Sequence, residues 1–307
     1  MTGGSFDTPS VVRYNPGVPA LPLTVFYSPA YVVEGRMETV TKARLVAERL
    51  EAGAAGAVVL RAPCPADRRE LATVHTAEHI RSTFEDEGAF LEVGPWSRPL
   101  LDSILASTGG MRDAVGVALR EGRAGSLSSG LHHARRGSGY GYCQFNGLAL
   151  AAVEALKHVR TVGILDLDAH GGGGTFDILG ADPRVVLADV SVHDFDSWEP
   201  QDPSRHHYAH VTRPARYLDA VDVALDFLRP VDLLIYNAGM DVYEKAGGLK
   251  GLGRDIVVER ERRVVAWARA RGIPHLFALA GGYKWGGLTL AQVADLHVET
   301  VKAFAAP

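Results

Sequence analysis

An α/β fold is predicted for the 307-residue chain: a mainly parallel β-sheet with helices on both faces, in three layers. Two observations predict it. Short apolar runs alternate with longer segments of helical period, the pattern of a sheet covered on both sides. Polar and glycine-rich segments stand where the apolar runs stop, and parallel sheets bind ligands at the carboxyl ends of their strands. No internal repeat, low-complexity linker or composition break divides the sequence, so a single domain over residues 1–307 is expected.

After a loop-like start over residues 1–20, residues 22–27 read as a strand. Residues 37–51 read as a helix, with Val40, Ala43, Ala47 and Leu50 on one stripe and Gly53 at its end. Residues 57–61 form a second strand. Helical patterns at about 67–85 and 99–120 are separated by a loop at Gly94-Pro95-Trp96. A strand at 125–131 precedes a helix running from near Asn146 to near His158. Strands at 161–168 and 184–192, a helix at 214–228 and a strand at 231–237 come next. A helix at 254–271, a strand at 274–280 and a helix at 288–304 complete the chain. Within the 254–271 helix, Arg260 to Arg263 read as its wet face.

Composition excludes several classes. A hydrophobic fraction of 47% with 22% charged residues is that of an ordinary globular protein. A net charge of −4 gives no support to a nucleic-acid or anionic-membrane partner. No apolar run reaches the roughly 18 residues that span a bilayer. The start lacks a basic and then apolar leader, and Cys64 and Cys143 build neither a disulfide framework nor a thiolate metal site. A cytoplasmic location is the expectation. The oligomeric state stays open, a homo-oligomer included.

The chemistry concentrates in TVGILDLDAHGGGGT, residues 161–175. Asp166, Asp168 and His170 occupy alternate positions, so along an extended segment they leave the same face. Two carboxylates and an imidazole at one strand end are costly to desolvate without compensation. Asp residues at a strand end can cap nearby amides, but the full pattern, followed by Gly171 to Gly174, points to a bound metal ion. Three further segments end apolar runs with polar residues: LHHARRGSGYGYCQFN after strand 125–131, YNAGMD after 231–237, and LAGGY after 274–280.

Taken with VFYSPAY from Val25 and VHTAEHI from Val74, these segments resemble the zinc-dependent histone deacetylase superfamily, which includes acetylpolyamine amidohydrolases and acetoin-utilisation proteins. The motifs fall in the family's order over most of the chain. The resemblance implies an arginase/deacetylase-like fold and one Zn²⁺ per chain, held by Asp168, His170 and Asp241. It implies His132 and His133 as proton carriers above the metal, and Asp166 as the carboxylate that orients His132. It implies Tyr283 as the donor to the oxyanion formed when water adds to an amide carbonyl, with Gly281 and Gly282 turning the chain so that the phenol faces the metal. Gly141 and Tyr142 match the walls of the acyl-lysine tunnel, where the family usually has Phe at the second position. A structural K⁺ near Asp166 and Ser191 is also implied. The substrate would be an acylated amine such as acetyl-lysine, an acetylpolyamine or an acetylated small molecule.

The pattern breaks in places. The family continues D-x-H-H-G-[DN]-G, whereas here Gly171 stands for the second His and Gly173 for the acid that orients the second member of the histidine pair. On this reading His133 lacks its orienting partner. VYEKAGGLKG after Asp241 lacks the family's acidic residue, and the early proline-rich segment is degraded to VVEGRMETVTKARL. Two alternatives remain: a metal-bearing acyl-group binder with impaired turnover, and a binuclear ureohydrolase, which needs bridging carboxylates that Met240 and Val242 beside Asp241 do not supply. His75 and His79, four apart, read as part of a surface helix beginning near Thr76 rather than as a second metal site.

Overall fold

Most strands are runs of apolar, often β-branched residues whose successive side chains leave opposite faces. The computed structural model describes residues 21–33, 38–85, 95–229 and 231–307. The expected loop at 1–20, residues 34–37 and Gly94 lie outside the described residues, as does the Val40 side chain. Among the described residues, eight strands form one sheet: β1 (Leu23–Phe26), β2 (Val58–Arg61), β3 (Arg123–Ser126), β4 (Val162–Asp166), β5 (Val185–Ser191), β6 (His206–His210), β7 (Leu233–Ala238) and β8 (His275–Leu279). Their spatial order is β2-β1-β3-β8-β7-β4-β5-β6, and all neighbours run parallel.

Period-two alternation splits the interior into two cores. Leu234, Tyr236 and Ala238 of β7 and Phe277 and Leu279 of β8 face one layer. Leu233, Ile235, Leu276 and Ala278 face the other. The first core is closed mainly by α1 (Glu38–Glu51), α7 (Tyr217–Phe227), α8 (Arg254–Ala270) and α9 (Leu290–Ala305). The second is closed by α3 (Ala77–Glu85), α4 (Arg98–Glu121) and α5 (Gly147–Ala155). The predicted three-layer parallel architecture is therefore the observed one.

Local differences have physical causes. The expected helix over 67–85 is two: α2 (Arg68–Leu71), opened by the Asp67/Glu70 capping box, and α3. Strand β6 is absent from the sequence reading because HHYAH is a half-exposed edge strand with no apolar run. The glycine run is not all turn, since α6 (Gly173–Leu179) begins inside it. Arg260 is not on a wet face: it is fully buried in α8. No helix among the described residues is long and apolar enough to cross a membrane.

The strand order brings the polar segments together. Strands β3, β8, β7 and β4 are adjacent in the middle of the sheet, and all four polar segments selected from the sequence follow their carboxyl ends. One buried side chain ties two of those ends together. Asn146 caps α5 by accepting from the Ala149 amide at 2.9 Å. Its own amide donates to the carbonyls of His132 and Ala134 and to the Thr175 hydroxyl. Asn146→Ala removes the cap and strands those buried acceptors, and is expected to cost at least about 2 kcal/mol by urea unfolding. A loss within about 0.5 kcal/mol would show that water replaces these bonds and that the tie is not structural.

Candidate active site

Strand β4 ends at Asp166, so the predicted alternation stops there; Asp168 and His170 lie in bends beyond it. They converge through backbone-to-carboxylate hydrogen bonds instead. The Asp168 amide donates to Asp166 Oδ1 at 3.1 Å and the His170 amide to Asp168 Oδ1 at 3.0 Å. The Gly281 amide reaches Asp168 Oδ2 at 2.7 Å, and the Ala169 amide reaches Asp241 Oδ1 at 3.0 Å. One ligand atom from each of Asp168, His170 and Asp241 then lies within 4.8 Å of the others.

The electrostatics of this triad favour positive charge. Burial works against the His170 imidazolium, yet Asp168 and Asp241 outweigh it and raise the ring to about 11. Burial likewise opposes ionised Asp168, but His132 and His170 hold it well below the usual carboxylate range. Burial and the charge of Asp168 push Asp241 up. Asp241 Oδ2 accepts no hydrogen bond and faces His170 Nδ1 at 3.3 Å. Two carboxylates and an imidazole with an unsatisfied oxygen aimed inward are a donor set that could hold a divalent ion such as zinc.

Adjacent histidines on a strand would diverge, but β3 ends at Ser126 and Leu131 adopts a left-handed φ of 60°. The His132 and His133 rings therefore lie side by side, with centroids 3.9 Å apart. Asp166 lies against His132, with Nδ1 to Oδ2 at 2.8 Å, and Asn237 steadies Asp166 by donating to Oδ1 at 2.8 Å. Burial alone would lower His132; Asp166 and Asp168 raise it to about 10.

The expectation that His133 lacks an orienting partner is wrong. Its Nδ1 lies 2.8 Å from Asp196 Oδ2, a buried carboxylate from the loop after β5. The acid could not stand at 173, because a Cβ there would meet Asp196 Oδ1 at 2.4 Å. A Cβ at Gly171 would meet the Asp196 carbonyl oxygen at 2.5 Å. His133 is lowered to about 4, by burial and then by the charge of His132, while Asp196 pulls the other way. Its low value thus does not come from a missing partner. The acids of SVHDFDSW come directly after strand β5, so applying the strand-end rule to that strand would have found this residue.

His132, His133, Asp168, Tyr283, Gly141 and Tyr142 line one cleft. Gly281 lines it too, and a Cβ there would meet Asp241 Oδ2 at 2.0 Å. Gly282, with φ 151°, lies buried behind. Burial, joined by Asp241 and Asp168, pushes the Tyr283 phenol up, so it stays protonated and able to donate. Gly141 packs against the His133 ring, while Tyr142 is 53% exposed and belongs to the mouth of the cleft rather than its depth.

Other residues that brace the site were not singled out from the sequence. Arg260 Nη1 donates to the carbonyls of Leu167 at 3.0 Å and Gly239 at 2.7 Å, holding the Asp168 and Asp241 loops together from below. Buried Lys42 bonds the Ala280 carbonyl; burial lowers it to about 8 against the pull of Asp241 and Asp168. The helix expected near Thr76 begins at Ala77 as α3, but His79 on it and His75 before it are buried rather than at the surface. His75 Nδ1 donates to the Arg135 carbonyl at 2.9 Å and Nε2 accepts from the Asn146 amide; His79 Nε2 contacts the Gln144 carbonyl at 2.8 Å. They pin the loop that carries the histidine pair. Ser191 Oγ lies 2.8 Å from the Tyr208 hydroxyl, and Asp189, beside Asp166 in the sheet register, leaves Oδ1 buried and unbonded.

Known proteins carry the same architecture. A 242-residue stretch is 28% identical to histone deacetylase 2 of Arabidopsis thaliana, covering 72% of this chain and 62% of the plant protein. A probable deacetylase of Archaeoglobus fulgidus is 31% identical over 147 residues, 44% of this chain and 39% of that one. Among solved structures, the HD domain of HDA15 superposes with a TM-score of 0.75 at 18% identity, over 92% of this chain and 90% of that one. An acetylpolyamine aminohydrolase from Burkholderia pseudomallei also gives 0.75, at 19% identity over 92% and 99%. The two structures share the fold. The histone deacetylase domain family matches residues 36–301, and with that span covering most of its length the chain belongs to the histone deacetylase family.

Proposed function

We propose that the chain is a zinc-dependent amidohydrolase that removes an acetyl or other acyl group from an amine: acetyl-lysine, an acetylpolyamine or an acetylated small molecule. The observation that carries this reading is the convergence in one cleft of the Asp168–His170–Asp241 triad, the His132–His133 pair and the Tyr283 phenol. The triad would hold one Zn²⁺ per chain. When bound, the ion supplies Lewis acidity to the attacking water and the substrate carbonyl.

The chain's own groups do the rest. His133 donates Nδ1–H to Asp196, which leaves Nε2 as the acceptor for the water proton. As the C–N bond breaks, His133 passes that proton to the leaving amine, while His132, raised to about 10 chiefly by Asp166 and Asp168 against the effect of burial, keeps its own proton and stabilises the negative charge that develops in the cleft. Tyr283 donates to the developing oxyanion. Gly141 and Tyr142 would flank the acyl-amine portion at the mouth. A K⁺ beneath the site, near Asp166 and Ser191, would satisfy the unbonded Oδ1 of Asp189, which lies beside Asp166 in the sheet register. The alternative of an acyl-group binder with impaired turnover rested on an unoriented His133, and Asp196 removes that ground. A binuclear ureohydrolase finds no support in the residues beside Asp241.

Hydrolysis of a panel of N-acylated amines, lost on chelation and restored by zinc, is the expected result; activity indifferent to both a chelator and a hydroxamate would contradict the metal-centred reading. Tyr283→Phe should lower kcat by roughly 10²–10³-fold with a much smaller change in KM, and a kcat within about twofold of wild type at equal metal content would remove Tyr283 from the reaction. Because a general base must be neutral and His133 is shifted downward, activity at saturating zinc should persist to the acid side of about pH 6.5 and fall as His133 takes a proton. An acidic limb centred above that value would assign the base to another group.

A further inference from the structure

We propose that Asp196, clamped by Arg135, is a positioning residue that fixes the tautomer of His133, and that Gly171 and Gly173 are the space that admits it. The inference deepens the proposed function and rests on it. Its basis is a set of contacts that no single motif contains.

The Asp196 side chain is fully excluded from solvent, and each of its oxygens has one partner. Oδ2 takes His133 Nδ1 at 2.8 Å, and Oδ1 takes Arg135 Nη2. Arg135 is fixed in turn: Nη1 donates to the Gly173 carbonyl at 3.2 Å, and the guanidinium lies over the Tyr140 ring at 5.2 Å. A carboxylate with both oxygens engaged cannot rotate away from the imidazole, so the ring plane and the site of the proton are set together. With Nδ1–H committed to Asp196, Nε2 presents its lone pair to the cleft.

The backbone is bent to make this contact. Asp196 has a left-handed φ of 54°, which Asp tolerates better than most residues. The other described non-glycine residues with positive φ are Leu131 and Tyr142. All three surround His133: Leu131 turns the histidine pair, and Tyr142 comes after Gly141, which packs on the ring. Strain of this kind persists where the surroundings enforce it, and it gathers at functional sites. The two glycines complete the set, since a side chain at 171 or 173 would collide with Asp196. The loop after β5 and the glycine run are therefore one unit: an acid brought from one strand end into room left by another.

The test uses the full-length, metal-bearing protein labelled with ¹⁵N-histidine, and Asp196→Gly, which keeps the left-handed φ. Wild type is expected to show a His133 resonance with its proton on Nδ1, assigned by its loss in His133→Gln. Asp196→Gly should move that proton to Nε2 and lower kcat on an Nε-acetyl-lysine peptide or an N-acetylated diamine by roughly 10- to 100-fold. Metal content should not change, and KM should move by no more than about threefold. Asp196→Asn keeps an acceptor oxygen and should restore the Nδ1 tautomer and much of kcat. If Asp196→Gly does not fold, Gly173→Ala gives the same reading, because it displaces Asp196 without removing it. An Nδ1 proton that survives in Asp196→Gly, or a kcat within about twofold of wild type at full metal content, overturns the proposal. The tautomer is read without turnover, so a wild type that hydrolyses neither probe counts against the proposed function and leaves this inference to the resonance.

Discussion

Asp168 and Asp241 are buried side by side, 2% and 0% exposed, and the surrounding structure is arranged to tolerate them. Removing a carboxylate from water costs several kcal/mol even after relaxation, and two like charges at close range add to it. The compensation comes from every direction. Backbone amides of Gly281, His170 and Ala169 donate to the two acids. His170 and His132 supply ring nitrogens, one from the same loop and one from another strand end. From the helical layer below, Lys42 and Arg260 bring positive charge to the carbonyls beneath the acids. With Asp241 Oδ2 still unbonded, the Asp168, His170 and Asp241 atoms could hold a metal ion.

The parallel sheet makes the arrangement reachable. Four adjacent strands, β3, β8, β7 and β4, end at one level, so side chains far apart in the chain meet at one edge of the sheet. The alternation that directs Leu233 and Leu234 into opposite cores also leaves the strand ends as the places where polar residues escape packing. The neighbouring strand β5 adds Asp189 beside Asp166 and, past its end, Asp196 beside His133. Bracing runs crosswise between loops: Asn146 to the histidine loop, Asn237 to Asp166, and Arg260 to both acid loops. Each brace is a buried polar group committed to another element, and this is what keeps the polar groups of the cleft in register.

Much of this was legible because its physics is local. Apolar runs gave the strands, and the D-x-D-x-H triplet, Asp241 and Tyr283 stand at run ends where the strand-end rule looks. The triad did assemble, though through bends rather than the predicted extended alternation beyond Asp166. What escaped depends on partners distant in sequence. Arg260 sits in a charged stretch that matches a solvated helix face, and only the carbonyls of Leu167 and Gly239 explain its burial. His75 and His79 look like surface residues until the loop they pin is in place. Asp196 stands past a strand end that the same rule covers, but its pairing with His133 depends on the room left at Gly171 and Gly173, which only the fold shows to be filled by this acid. Strand β6 lacked an apolar run because an edge strand packs on less of its surface.

The buried acid pair is tested most directly by calorimetric titration of zinc into metal-free protein, repeated in buffers of different ionisation heat. His170 is raised to about 11 by the two acids against the effect of burial, so it carries a proton at neutral pH that a metal must expel. The expected result is one ion per chain, release of about one proton at neutral pH, and affinity that weakens as the pH is lowered. Two ions per chain, or binding with no proton release and no dependence on pH, would contradict a single-metal site built on Asp168, His170 and Asp241.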